Sequence, residues 1–213
     1  MKNVVEKERI AIGFDFRLFV FGSLIGLILV GVGAFVIWLI GGVNFVLTNS
    51  ANLIPQVALF LLVSFSEEIV CRAYLLPNIM TKLSPWNSIL ISSIIFGLFH
   101  IFNNDISWTG FLNITLSGIL LSMLYLKRRD LSIPSGLHFA WNFIQGPILG
   151  FAVSGQKSTL SLFTVHKLSN NDIITGGEFG IEGSLIISLI LLLAIWIFHD
   201  SIENNSLKIA EIK

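Results

Sequence analysis

Ser66-Glu67-Glu68-Ile69-Val70-Cys71-Arg72 stands at the end of the apolar run Val57 to Phe65. Charged side chains in or against hydrocarbon are costly, so they pair, line a cavity or do chemistry. The reading of the whole chain turns on what faces these two carboxylates and one guanidinium.

The surroundings are membrane-like. Of the 213 residues, 54% are hydrophobic and 12% charged, and the mean hydropathy is +0.84. A soluble domain of this size carries about twice that charge. The composition predicts an all-α, polytopic transmembrane bundle with the lipid bilayer as its first partner. The formal net charge is +0, so no nucleic-acid partner is expected. The single cysteine, Cys71, excludes an intrachain disulfide and a CxxC metal site.

Outward from the charged stretch, about six spans can be drawn. Residues 1–17 form a polar flank with Lys2, Lys7, Arg9 and Arg17. Leu18 to Ile40 is a first span, read as retained rather than as a removable signal peptide, with Gly22 and Gly26 as a close-packing GxxxG. Residues 18–53 thus hold this span and an uncharged turn region, Gly41 to Leu53. The core, 54–151, contains four spans. The second begins at Ile54-Pro55 and reaches toward Thr81 if Pro77 only kinks it. The third is Trp86 to Phe102, the fourth Trp108 to Leu126, and the fifth Ser135 to Phe151. Residues 152–198 comprise a mixed polar loop, Ala152 to Glu182, and a last span from Gly183 to Phe198. Residues 199–213 form a polar tail.

Lys and Arg set the orientation. Six spans place the N-terminal flank, Lys82, Lys127-Arg128-Arg129 and the tail on one side, against Lys157 and Lys167 on the other. The positive-inside rule then makes both termini cytoplasmic in a cell membrane. Trp38, Trp86, Trp108 and Trp196 sit near span ends as interfacial anchors. Trp141 does not, and is expected to line the interior.

Once the span ends are set aside, the strongly polar side chains are Glu67, Glu68, Arg72, His100, His138 and Asn142, with Asn113 as an outlier. Glu68 and Arg72 are four apart, acid before base, the favourable order for a helical ion pair. Phe96 and His100 are also four apart, with Ser93 and Gly97 on the same face. His138 and Asn142 repeat the spacing. Three helices thus each turn a polar face inward, because none can favourably face lipid. A carboxylate and two imidazoles in one partly dry cavity can activate water and stabilise an oxyanion. The same Glu67, His100 and His138 could instead ligate one divalent metal such as zinc. His166 and His199 read as solvated, and Asn113 as a bond between helices. Counting along the helices places Glu67 and His100 about 20 Å from the basic face but His138 only about 10 Å.

Glu67-Glu68-x-x-x-Arg72, Phe96-x-x-x-His100 and His138-x-x-x-Asn142, in this order, resemble the three motifs of the CPBP family, the CAAX-processing proteases and bacteriocin-processing or immunity proteins. The resemblance covers roughly Ile54 to Phe151. It implies an intramembrane endopeptidase acting on a peptide or membrane-protein substrate near the cytoplasmic face. Carried over by motif position, Glu67 and His100 would activate water. His138 and Asn142 would stabilise the tetrahedral oxyanion, and Glu68 and Arg72 would orient the helix. The family is described both as metal-independent glutamate proteases and as metalloproteases. The same fold also allows a non-catalytic immunity or signalling regulator. A proton-coupled carrier is a third reading, without a visible inverted repeat to support it.

Overall fold

The computed structural model describes residues 13–48, 52–157 and 160–210, with side chains through His199. Seven helices and one short ribbon follow in order: α1 Phe16–Leu39, β1 Val43–Leu47, α2 Leu53–Met80, α3 Pro85–Phe99, α4 Trp108–Arg128, α5 Ser132–Phe143, β2 Phe163–Lys167, α6 Asp172–Thr175 and α7 Leu185–Ala210. The architecture is an all-α bundle of the membrane type. α1, α2 and α4 are long and apolar enough to cross a bilayer, and α3 and α7 contribute shorter apolar helices. α5, over which the fifth span is drawn, is buried within the bundle at nearly every position from Ser132 to Asn142.

Local chemistry sets the helix ends. Asp15 caps α1 by accepting from the backbone N–H of Arg17, and Ser84 and Pro85 start α3. Arg129 adopts a left-handed conformation that stops α4. Asp130 then accepts from the Ser132 N–H at 2.7 Å, and α5 begins at once. Pro134 therefore lies in the first turn of α5, not before the helix.

Glycine backbone contact fixes α5 against α1. A Cβ on Gly22 would lie 2.1 Å from the Ile133 carbonyl oxygen, one on Gly26 2.4 Å from that of Leu137, and one on Gly136 2.1 Å from that of Phe19. The expected close-packing role of Gly22 and Gly26 is met, and its partner is the helix that bears His138. α3 and α4 approach similarly, with Gly97 against Thr115 and Gly118 against Ser93. Val30, Ile37, Leu120, Leu137 and Ile187 pack into the central apolar core. α2 lies at the rim. Only 11% of its most apolar window is buried, against 67% for α4.

Two stretches read as a turn region and a loop contain strands. The turn region Gly41 to Leu53 contains β1, which pairs antiparallel with β2 inside the Ala152 to Glu182 loop, Val43 opposite Lys167 and Leu47 opposite Phe163. The pairing spans some 120 residues of sequence, so no local hairpin signal announces it. The polar tail read from His199 is helical as far as Ala210, where α7 ends. His199 is not simply solvated, for its ring stacks on Trp86 at 5.2 Å.

Candidate active site

The α-helical part of α2 ends at Glu68, and Ile69–Leu75 continues as a π-helical segment. Glu67 and Glu68 sit where the pitch changes, a frequent location for functional side chains. Their surroundings differ sharply. Glu68 and Arg72 are 0% and 1% exposed. Glu68 Oε1 accepts from Arg72 Nη1 at 2.8 Å and from His138 Nδ1 at 2.9 Å. Arg72 Nη2 also donates to the Gly118 carbonyl at 3.3 Å, and its guanidinium lies 4.4 Å from the Phe96 ring centroid. The expected Glu68–Arg72 pair is present, but Glu68 does more than hold its own helix: it orients an imidazole on α5.

His100 is not inside a helix. α3 ends at Phe99, and His100 is its C-cap residue. Its Nδ1 donates to the Phe96 carbonyl at 2.9 Å, which turns Nε2 into the cavity. Phe96 packs edge-on against both imidazoles, 4.9 Å from His100 and 6.2 Å from His138.

The three expected groups meet. Glu67 Oε2 lies 3.9 Å from His100 Nε2 and 3.8 Å from His138 Nε2. Residue counting along the helices therefore misjudged their relative depth. α5 begins beside the head of α1, where Ser132 Oγ accepts from the Asp15 N–H. Glu67 Oε2 is buried without a direct hydrogen-bond partner. With both Nδ1 atoms bonded elsewhere, each imidazole turns Nε2 toward that carboxylate oxygen. The gap between the three groups suits a water or a small cation.

The donor set suits a divalent ion chemically, since each imidazole has its outer nitrogen bonded to an oxygen, as ligating histidines do. The separations exceed the ~3.3 Å expected between ligands at roughly 2.0–2.1 Å tetrahedral bonds. Among the described residues no group of three His, Cys, Asp or Glu is already closed into a metal cluster.

These groups line a cavity of about 640 Å³ together with Asn142 and Trp141. Trp141 faces the interior, as expected, and is 6% exposed. The cavity reaches Asn52 and Gln56 at the head of α2, and Asn103, Ser154 and Lys157. That is the end opposite Lys82 and the Lys127–Arg129 turn.

Sequence reading missed Glu182. It lies in a short 3-10 turn ahead of α7, only 7% exposed, and lines the same cavity. Its Oε2 accepts from Gln145 Nε2 at 2.9 Å and the Ser154 N–H at 2.6 Å, and its Oε1 from Ser154 Oγ at 3.1 Å. Burial pushes its carboxyl above the usual range, opposed by these hydrogen bonds. Asn113, expected to bridge helices, donates to the Glu182 and Ser184 carbonyls at 2.6 and 2.8 Å and accepts from Ser188 Oγ at 2.7 Å. An acid directly before an apolar run was the available signal, but at a span end it reads as solvated. Cys71 is a buried free thiol packed with Phe96, Ile114 and Phe179.

No curated protein and no solved structure matches this chain. A family model does match residues 49–144, and it is described as type II CAAX prenyl endopeptidase Rce1-like. The matched stretch contains Glu67, Glu68, Arg72, His100, His138 and Asn142. Over residues 49–144 the chain is thus similar to the CAAX-protease family.

Proposed function

We propose that this membrane protein is an intramembrane endopeptidase that hydrolyses a peptide bond of a hydrophobic or membrane-associated substrate. The observation that carries the reading is the approach of Glu67 Oε2 to both imidazole Nε2 atoms across 3.8–3.9 Å. A water in that gap gives one proton to Glu67, assisted by His100, as its oxygen attacks the scissile carbonyl carbon. The carbonyl oxygen gains negative charge and is met by His138 and the Asn142 amide. To donate from Nε2, His138 carries a proton on each nitrogen, with Glu68 accepting one of them. Collapse of the tetrahedral carbon breaks the C–N bond, and the proton held by Glu67 passes to the leaving amine. If a divalent ion is loaded, Glu67, His100 and His138 would hold it, and it would supply Lewis-acid polarisation of the water.

The cavity volume of about 640 Å³ suits a few residues of extended peptide. With both termini cytoplasmic by the positive-inside rule, its mouth faces away from the cytoplasm. The cut is then expected on that side rather than near the cytoplasmic face.

The test is cleavage of a peptide containing one transmembrane segment by the purified protein in lipid nanodiscs, beside Glu67→Gln and His100→Ala. Losses of about 100- to 10,000-fold are expected for Glu67→Gln. Equal cleavage by all three proteins would reject the reading and favour a non-catalytic immunity or regulatory role.

A further inference from the structure

His100 caps α3, so the helix alone does not fix its position. The turn that follows does, since the Asn103 N–H donates to the His100 carbonyl at 3.0 Å. That turn is clasped from outside the family-matched region. Asn103 Nδ2 donates to the Ser154 carbonyl at 3.0 Å. Ser154 in turn gives both its N–H and its hydroxyl to the Glu182 carboxylate. Ser154 is held at φ 46°, a left-handed conformation that a non-glycine residue keeps only where its surroundings enforce it. Next to it, a Cβ on Gly155 would lie 2.1 Å from the Asn104 carbonyl oxygen, so the two backbones touch with no room for a side chain. Glu182 is anchored at its other end, because its own carbonyl accepts from Asn113.

We propose that Glu182 is a positioning residue: through Ser154 and Asn103 it fixes the turn that carries His100, coupling the loop between α5 and α7 to the reactive triangle. This rests on the endopeptidase reading for its catalytic consequence, but not for its structural one. The carboxylate acts here by its hydrogen bonds. An amide at position 182 can keep them, with its oxygen accepting from Gln145 and the Ser154 N–H and its NH₂ donating to Ser154 Oγ. A methyl group cannot.

The experiment uses the full chain in nanodiscs with Glu182→Ala, Glu182→Gln, Asn103→Ala and the double variant Glu182→Ala/Asn103→Ala. Hydrogen exchange is read at the 100–104 amides, and kcat and KM are read on the transmembrane peptide. In Glu182→Ala and Asn103→Ala, exchange in the turn speeds up about tenfold. In the same variants kcat falls about 10- to 100-fold with KM within about twofold, as displacement of a reacting group by about 1 Å produces. The double variant is no worse than the poorer single, the mark of residues acting along one connection. Glu182→Gln retains at least about half of wild-type kcat and normal protection of the turn. Unchanged exchange in both alanine variants, multiplicative losses in the double variant, or a Glu182→Gln as impaired as Glu182→Ala would each overturn the proposal. Should Glu182→Ala fail to fold, Asn103→Ala on this largely exposed turn still has to loosen the 100–104 amides. Cleavage by Glu67→Gln at the wild-type rate would instead sink the protease reading, while the exchange result would still decide the coupling.

Discussion

Two carboxylates in neighbouring positions and a third on a distant loop show how differently this bundle treats acids. Glu68 and Glu182 are committed to hydrogen bonds within the protein, although Glu68 Oε2 is left without a partner. Glu68 Oε1 answers to Arg72 and His138, and Glu182 accepts three hydrogen bonds while its backbone carbonyl takes a fourth. Glu67, one residue from Glu68, keeps Oε2 buried and unsatisfied in front of two imidazole nitrogens. Buried acids bonded to neighbouring elements hold those elements in place. Glu67 faces the cavity instead and is poised for a substrate or a water. Motif spacing alone places Glu67 and Glu68 side by side and cannot assign them opposite duties.

The contrast can be broken deliberately. The largest expected effect is on the side of Glu68. Arg72→Met removes the guanidinium and leaves Glu68 buried beside His138. The expected loss is about 3–5 kcal/mol of stability, read by thermal unfolding in detergent. The paired change Glu68→Gln with Arg72→Met should recover much of that loss. Next comes the reactive side. Asn142→Ala should leave the unfolding temperature near wild type and lower kcat about 100- to 1,000-fold in the peptide cleavage assay, if its amide meets the oxyanion. Asn113→Ala strips the support from the Glu182 and Ser184 carbonyls and from Ser188. About 1–3 kcal/mol of destabilisation is expected, with faster proteolysis between α6 and α7.

The smallest effect concerns the loop surface. Hydrogen bonds from Lys157 and Lys167 hold the Glu178 carboxyl down to about 2. A lowered carboxyl contributes stability above its unfolded value of 4.5, and that contribution is lost as pH falls through about 2. Loop protection against protease should therefore be flat from pH ~5 to ~8 and decline only in stronger acid. Because these side chains are largely exposed, the change should be slight and should shrink further in salt.

The parts of the site legible beforehand were those with a local period. Glu68–Arg72, Phe96–His100 and His138–Asn142 each recur at four residues, and a polar face on an apolar helix has to turn inward. Gly22 and Gly26 announced a close contact for the same reason. What stayed hidden was non-local. The hydrogen bond from His138 to Glu68 joins residues 70 apart in sequence. The β1–β2 ribbon pairs segments from opposite halves of the chain. Glu182 belongs to no repeating pattern, and its burial depends on Gln145 and Ser154 folding over it. Helix ends were also misplaced, because single side chains set them: the left-handed Arg129 and the Asp130 carboxylate begin α5 three residues earlier than Pro134 suggested.

The helix that carries Glu67 leaves most of its apolar surface uncovered by the rest of the protein, open to acyl chains in a bilayer. A bilayer squeezes such a helix sideways and matches its length, whereas a small micelle does neither. The gap between the carboxylate and the two imidazoles is thus partly in the custody of the acyl chains, and turnover should vary with their thickness even when the folded fraction does not.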